Sequence, residues 1–368
     1  MGRKAEYIKQ VCGYIDENPA VTKKILAERD DVAAGFLKAA EGKTFKRVIM
    51  MGIGSSYNAG LMAKPVAEPA LKQFVHVCSP AMLEQLERVY GMEDTLILSC
   101  SQSGKSASTV ELVRELIAKG AFVVGVTNDL ESPFAKAVTV PVSIRCGEEK
   151  SGAMTKGVGA TALVLALLCL EYARDRKLLC GCKYDELMGQ LQFIADAMEE
   201  NQKVCKKWCA ENLESFQKIV SIDIISDMDT WGTGIEGAIK VMETATLPTS
   251  AYEIEEYLHG PNTLLARPGN GLLLLDSPDK EHERFEKIYR AMSEKKALCW
   301  EVTFGGEARA EGTRLTLKSP KNNLLSGFEY LPVLQLFTME LYRYHDANGL
   351  DGLEAPVDLG EALKTKLK

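Results

Sequence analysis

Arg47-Val48-Ile49-Met50-Met51, followed by Gly52-Ile53-Gly54-Ser55-Ser56, is the stretch on which the fold turns. A short run ending in four apolar residues reads as a buried strand, the glycines as a tight turn, and Tyr57 to about Leu71 as a helix. The same cycle recurs downstream. His76-Val77-Cys78 precedes a helix at about Met82 to Tyr90, Thr95 to Cys100 precedes one at Ser106 to Lys119, and Phe122 to Thr127 precedes a turn. Short apolar strands alternating with helices predict an α/β domain, a parallel sheet with helices on both faces.

Upstream, residues 1–45 read as helical, with Val32, Phe36 and Leu37 on an apolar face before the turn at Gly42. Downstream, a long helical section runs from about Gly157 to Phe216, broken near Gly181. The alternation then restarts with a strand at Ile219 to Ser226, a helix at about Thr233 to Thr246, and a strand at Gly271 to Asp276. A helix at about Lys280 to Ser293 and a strand at Ala297 to Val302 follow. The two halves read as two copies of one plan: a helical lead-in over 1–45, α/β domains over 46–180 and 216–350, a linking helix over 181–215 and a tail over 351–368. No strict short-period repeat is present, which excludes a solenoid.

Composition agrees with that reading. A chain of 368 residues, 46% of them hydrophobic, can fill about two cores. Lys and Arg number 44 against 51 for Asp and Glu, a net charge of −7 without long like-charge blocks, which disfavours non-specific nucleic-acid binding. Ten cysteines in a chain this large, several inside apolar runs, are read as free thiols and imply a cytoplasmic setting. Met1 to Asp16 lacks the apolar core of a secretory signal, and the apolar stretch Ala160 to Leu170 is shorter than a membrane span, so it reads as a buried helix.

Three segments could carry chemistry. In Ser99 to Thr109 a strand ends and a helix begins, so backbone N–H groups face a prospective anion, Gly104 allows close approach, and Ser101, Ser103, Ser106 and Thr109 add hydroxyls. That suits a phosphate monoester; the plainer alternative is a capped helix start. Gly-Lys-Ser here is not a P-loop, because the upstream glycine is missing. Gly52 to Ser56 is a second strand-to-helix turn, with neither the third glycine nor the acidic partner of a dinucleotide site. The third is Glu236, Lys240 and Glu243, spaced i, i+4 and i+7, which alone reads as a solvated, salt-bridged helix face. One of four histidines, His259, follows in a turn before Gly260-Pro261. Cys180, Cys182, Cys205 and Cys209 do not have common zinc spacings, and neither metal nor cofactor is expected.

Taken together, Gly54-Ser55-Ser56-Tyr57-Asn58-Ala59-Gly60, Ser101-Gln102-Ser103-Gly104-Lys105-Ser106, Thr155-Lys156, and Glu236 to Glu243 followed by His259-Gly260-Pro261 resemble the sugar isomerase (SIS) superfamily in its double-domain form. Within it, the chain is similar over about residues 45–350 to the isomerase half of glutamine:fructose-6-phosphate amidotransferases and to fructosamine-6-phosphate deglycases. The resemblance implies two flavodoxin-like SIS domains in tandem. It implies that Ser101, Gln102, Ser103 and Ser106 hold a sugar phosphate, with Ser55, Ser56 and Thr155 completing the cradle or touching the sugar. It also implies Glu243 as the general base between C1 and C2, Lys240 beside it, and His259 assisting ring opening from a neighbouring subunit of a homodimer or higher homo-oligomer.

Two departures matter. Only about 45 residues precede the first strand and position 2 is Gly2, where the amidotransferases carry a glutaminase with a nucleophilic cysteine. The tail Ala355 to Glu361 places Glu361 where those enzymes present an imine-forming lysine, with Lys364 and Lys366 further on. A substrate that already carries its amine makes that lysine unnecessary, so the expectation is a deglycase acting on a fructosamine 6-phosphate. The alternatives are aldose–ketose isomerisation or glucosamine 6-phosphate deamination at the same site, and a phosphosugar sensor without catalysis.

Overall fold

The computed structural model describes residues 3–150 and 155–345. They divide into two compact units, the first drawn from residues 21–149 and 156–189, the second from 3–20, 150, 155 and 190–345.

In the first unit, β1 (Arg47–Met51), β2 (Val75–Cys78), β3 (Thr95–Cys100), β4 (Phe122–Thr127) and β5 (Val140–Ser143) form one parallel sheet in the order β2-β1-β3-β4-β5. Every residue of β3 and β4 is buried, as the continuous apolar runs require of strands covered on both faces. Helix Ser55–Leu71 packs against helix Lys156–Asp175. The latter is long and apolar enough to cross a membrane by length and composition, but 94% of its most apolar 18-residue window is buried in the fold, so its apolar surface is already covered. The segment after β4, expected as a turn, goes on to form β5, where exposed Pro141 sits on an edge strand, the place in a sheet that tolerates a missing N–H.

The second unit contains β6 (Ser221–Ser226), β7 (Thr249–Glu253), β8 (Asn270–Leu275), β9 (Cys299–Gly305), β10 (Arg309–Glu311) and β11 (Arg314–Lys318). Their order is β10-β11-β9-β8-β6-β7, parallel throughout except for the antiparallel β10. Leaving β10 aside, β7-β6-β8-β9-β11 repeats the order of the first sheet. Trp208, Phe216, Trp300 and Phe337 are fully buried at its core, the Phe216 ring 5.0 Å from Phe337 and 5.2 Å from Trp300. The lead-in does not act as one segment: helix Arg3–Asp16 joins this second core through Val11 and Ile15 and sets Tyr7 edge-on to Tyr342 at 5.9 Å.

In both sheets the chain winds one way from the first strand and then the other. This leaves a switch point between β1 and β3 and another between β6 and β8, and ligands of open parallel sheets bind beyond the carboxyl ends of the strands at such points.

Candidate active site

The loops leaving β1 and β3 meet this requirement in the first unit. After β1, Gly52 has no room for a side chain, since a Cβ there would lie 2.5 Å from the Ser56 carbonyl carbon. The turn is closed by Ser56 N–H donating to the Ile53 carbonyl at 3.2 Å, and helix Ser55–Leu71 starts with Ser55 and Ser56 half-buried at its first turn.

After β3 the chain is pinned from beneath. Ser101 N–H donates to Val126 at 3.1 Å, and the Gln102 carbonyl accepts from Asn128 N–H at 3.0 Å and from the Thr127 hydroxyl at 3.2 Å. Gly104 has φ +63°, and a Cβ there would lie 2.1 Å from Ser132 Oγ, so this position requires glycine. Ser106 is the N-cap of helix Ala107–Ala118, yet its hydroxyl makes no cap bond; it accepts instead from Thr109 Oγ1 at 2.9 Å and lies 3.3 Å from Ser108 Oγ. The first-turn N–H groups, which have no intrahelical acceptor, are therefore not claimed by the cap. Ser103 is exposed, Ser101 buried and Ser106 half-buried. Together they make a loop rich in donors at a positive helix end, an arrangement suited to a phosphate dianion.

Glu149 lies outside the sequence reading of this loop. Its Oε2 accepts from Gly157 N–H at 3.1 Å and lies 3.5 Å from Gln102 Nε2, while Gln102 Oε1 is buried with no hydrogen-bond partner among the described residues. Glu148-Glu149-Lys150 reads as solvated charge, so nothing in the sequence alone singles out Glu149.

The second unit holds the other candidates. Glu236 and Lys240 are 0% and 4% exposed, so their helix face is not the solvated stripe the spacing suggests. Helix Trp231–Lys240 packs on helix Asn323–Tyr344, which covers it. Lys240 Nζ lies 3.3 Å from Glu236 Oε1 and pairs closely with Glu243 Oε1. Burial pulls the Lys240 ammonium down, the largest single effect, but Glu236 and Glu243 together hold it above its ordinary value, so it stays charged. The helix then widens into a π-turn over Val241–Ala245, which leaves Glu243 39% exposed beside its buried partner. A carboxylate paired with a buried ammonium yet partly exposed is placed for proton transfer.

His259 ends the short helix Ile254–Leu258 and is 74% exposed. Its Nε2 lies 3.2 Å from Glu255 Oε1, and Arg284 holds Glu255 Oε2 at 2.6 Å. Arg284 first, and then His259, keep the Glu255 carboxyl below its usual range. The structure thus brings Lys240 and Glu243 together, while His259 is bonded to Glu255 instead. Thr155 is buried, with its carbonyl accepting from Gln335 Nε2 at 2.9 Å. Glu361, Lys364 and Lys366 lie outside the described residues.

Among the described residues, one set of His, Cys, Asp and Glu has ligand atoms within 4.8 Å of one another: Asp276, His282 and Glu286. Its donors are already engaged. Asp276 Oδ1 and Oδ2 lie 2.9 and 2.8 Å from His282 Nδ1, Thr303 donates to Asp276 at 2.7 Å, and Glu286 pairs with Arg314 at 2.9 Å. Burial pushes the Asp276 carboxyl up to about 6, with His282 pulling the other way. A cavity of about 350 Å³ lined by Arg47, Phe74, His76 and Met92 lies at the amino end of the first sheet, opposite the serine loops.

Residues 44–170 match the SIS domain family. Along the whole chain, the glutamine–fructose-6-phosphate aminotransferase (isomerizing) of Clostridium tetani is 24% identical over 345 residues, covering 90% of this chain and 54% of that protein. The chain spans about half the length of the curated relatives it matches. A crystal structure from Clostridium difficile 630, provisionally described as a phosphosugar isomerase, superposes with a TM-score of 0.84 at 25% identity over 96% of this chain and 97% of that one. The C-terminal domain of the Francisella tularensis glucosamine-fructose-6-phosphate aminotransferase shares the fold, with a TM-score of 0.77 at 19% identity over 91% and 96%.

Proposed function

We propose that this chain, a tandem SIS protein related to the isomerase half of the amidotransferases, is a phosphosugar enzyme that removes the amine from a fructosamine 6-phosphate. The observation that carries the reading is Glu243, exposed at the end of a helix whose charge is fixed by the buried Lys240–Glu236 pair. The serine loop after β3 supplies the phosphate site.

On this reading the open-chain substrate presents a C2 carbonyl and a C1 bearing the amine. Glu243 takes a proton from C1 as the C2 oxygen gains one from solvent, giving an enolamine; it then returns its proton at C2 while the N–H proton passes to solvent, which leaves an imine at C1. Water adds to the imine and the amine departs, leaving hexose 6-phosphate. Lys240 holds the base in place while its own charge is neutralised by two carboxylates. His259, exposed and oriented by Glu255, assists ring opening in the neighbouring subunit of a homodimer. Glu361, at the tail position where the related enzymes carry the imine-forming lysine, favours a substrate that brings its own amine. The ten free cysteines fit a cytoplasmic setting.

Lys240 beside the base also suits aldose–ketose isomerisation, so the assay must separate outcomes. Fructoselysine 6-phosphate, fructose 6-phosphate and glucosamine 6-phosphate are offered to wild type and Glu243→Gln. Amine release from the first substrate, cut by about 10²–10⁴-fold in the variant, is expected. Interconversion of hexose phosphates without amine release from the fructosamine phosphate means isomerase chemistry instead. Binding of all three without turnover means a sensor.

A further inference from the structure

Of the ten cysteines, seven are buried and Cys12 is half-buried; Cys180 and Cys182 are exposed. Burial pushes the thiols of Cys78, Cys100 and Cys169 up to about 12, which makes them poor nucleophiles at neutral pH. The exposed pair is different. The two Sγ atoms lie 2.8 Å apart, with Gly181 between them, where a Cβ would meet nothing within 4 Å.

Position in the fold activates one of the two sulfurs. Cys180 immediately precedes helix Gly181–Glu211, and its carbonyl accepts from Lys183 N–H at 3.1 Å and Tyr184 N–H at 3.0 Å. Its Sγ accepts from Lys183 N–H at 3.4 Å, the bond that a serine or aspartate makes at an N-cap. A thiolate there gains both a backbone donor and the positive end of a 31-residue helix. The bonds from Cys182 and Lys183 hold the Cys180 thiol below its ordinary value, while the bond to Cys180 raises Cys182. Cys180 is thus the sulfur that gives up its proton more readily, and Cys182 the one that keeps it.

We propose that Cys180 and Cys182 are a redox-active dithiol that exchanges with small-molecule disulfides and closes to an internal Cys180–Cys182 disulfide. The Cys180 thiolate attacks one sulfur of RS–SR; a Cys180–SR bond forms, the RS–SR bond breaks and RS⁻ leaves. Cys182 gives up its proton and attacks Cys180 Sγ, expelling the second RS⁻. The two cysteines are oxidised and the disulfide is reduced to two thiols, so electrons and protons balance. Closure moves the sulfurs from 2.8 Å to the bonded distance of about 2.05 Å, a small adjustment for a cysteine outside the helix joined through glycine.

The test exposes the full chain to oxidised glutathione, quenches with acid, alkylates the remaining thiols and maps peptides by mass spectrometry. Wild type should lose two hydrogens at the 180–182 peptide and retain no glutathione there. Cys182→Ser should accumulate a glutathione adduct on Cys180, several-fold faster than Cys180→Ser acquires one on Cys182. Circular dichroism of both surface variants confirms that the fold is intact. A stable adduct on the wild type, equal rates for the two variants, or no oxidation of the pair would each overturn the proposal. None of these readouts depends on sugar-phosphate turnover.

Discussion

Lys240 shows how a single residue ties stability to chemistry. Its ammonium pairs with Glu236, which has no exposed surface, so its removal takes a positive charge away from a buried carboxylate. Lys240→Met is expected to cost about 3–5 kcal/mol in chemical denaturation, and adding Glu236→Gln should recover much of the loss, because the penalty belongs to the stranded charge. Glu329 makes a second prediction, about pH. It is buried on helix Asn323–Tyr344 with Ser319 donating to it at 3.0 Å, and burial pushes its carboxyl up to about 8. In the folded protein it binds a proton that the unfolded chain has released above its ordinary value of 4.5. The stabilisation is complete below that value and is lost as pH rises through about 8, so melting temperature should fall across this window. Glu329→Gln should flatten that fall; an unchanged slope would show that the proton lies elsewhere. The loop after β3 was legible as a strand-to-helix junction, because Gly104 and the hydroxyls around it interrupt the apolar run of the strand. Glu149 was not, since a carboxylate that orients Gln102 has the same letter as one in water.

At the scale of elements, the strands with continuous apolar runs could be placed from sequence, and those without could not. β5 carries Pro141, and β7 reads Thr-Ser-Ala-Tyr-Glu, so neither has the run that marks a strand buried on both faces. The stripe Glu236, Lys240, Glu243 was visible, but its environment was not: periodicity shows which residues share a face, whereas only tertiary packing decides what that face meets. Here it meets a neighbouring helix. At Gly237 a Cβ would lie 2.7 Å from Leu334 Cδ1 on helix Asn323–Tyr344 and 3.2 Å from Ile224 Cδ1 on β6. Gly237→Val should therefore overpack the junction and cost about 1–3 kcal/mol in thermal or chemical unfolding, despite its better helix propensity. On the proposed function, turnover should drop more than substrate binding in that variant, because the displaced helix leads into the proposed base Glu243 and not into the proposed phosphate loop. Equal stability and turnover would mean that the two helices can separate without moving Glu243. The π-turn that exposes Glu243 has no sequence signature in this chain.

For the whole molecule, the repetition of one α/β plan was legible from the recurring strand and helix pattern, whereas the strand order that the two sheets share was not. The allegiance of the first helix to the second core was not, because an amphipathic helix does not name the surface that it covers. Repetition of a fold does not repeat a function: the serine cluster belongs to the first sheet, and the second sheet's switch point carries Asp227 and Asp276. His259 poses the question of assembly directly. It is 74% exposed, and its single bond to Glu255 holds its ring without giving it a reacting partner. If it serves the neighbouring subunit, a functional site takes Glu243 from one chain and His259 from another. Co-expression of Glu243→Gln with His259→Asn chains then separates the arrangements. In a mixed dimer one site loses both residues and the other keeps both, so random pairing should restore about a quarter of wild-type turnover, although each variant alone is impaired. Where both residues serve within one chain, every site in the mixture lacks one of them, and turnover stays at the average of the two variants. Different affinity tags on the two chains, with purification through both in turn, isolate the mixed dimers for assay, so a lack of recovery would count against the shared site and not against mixing.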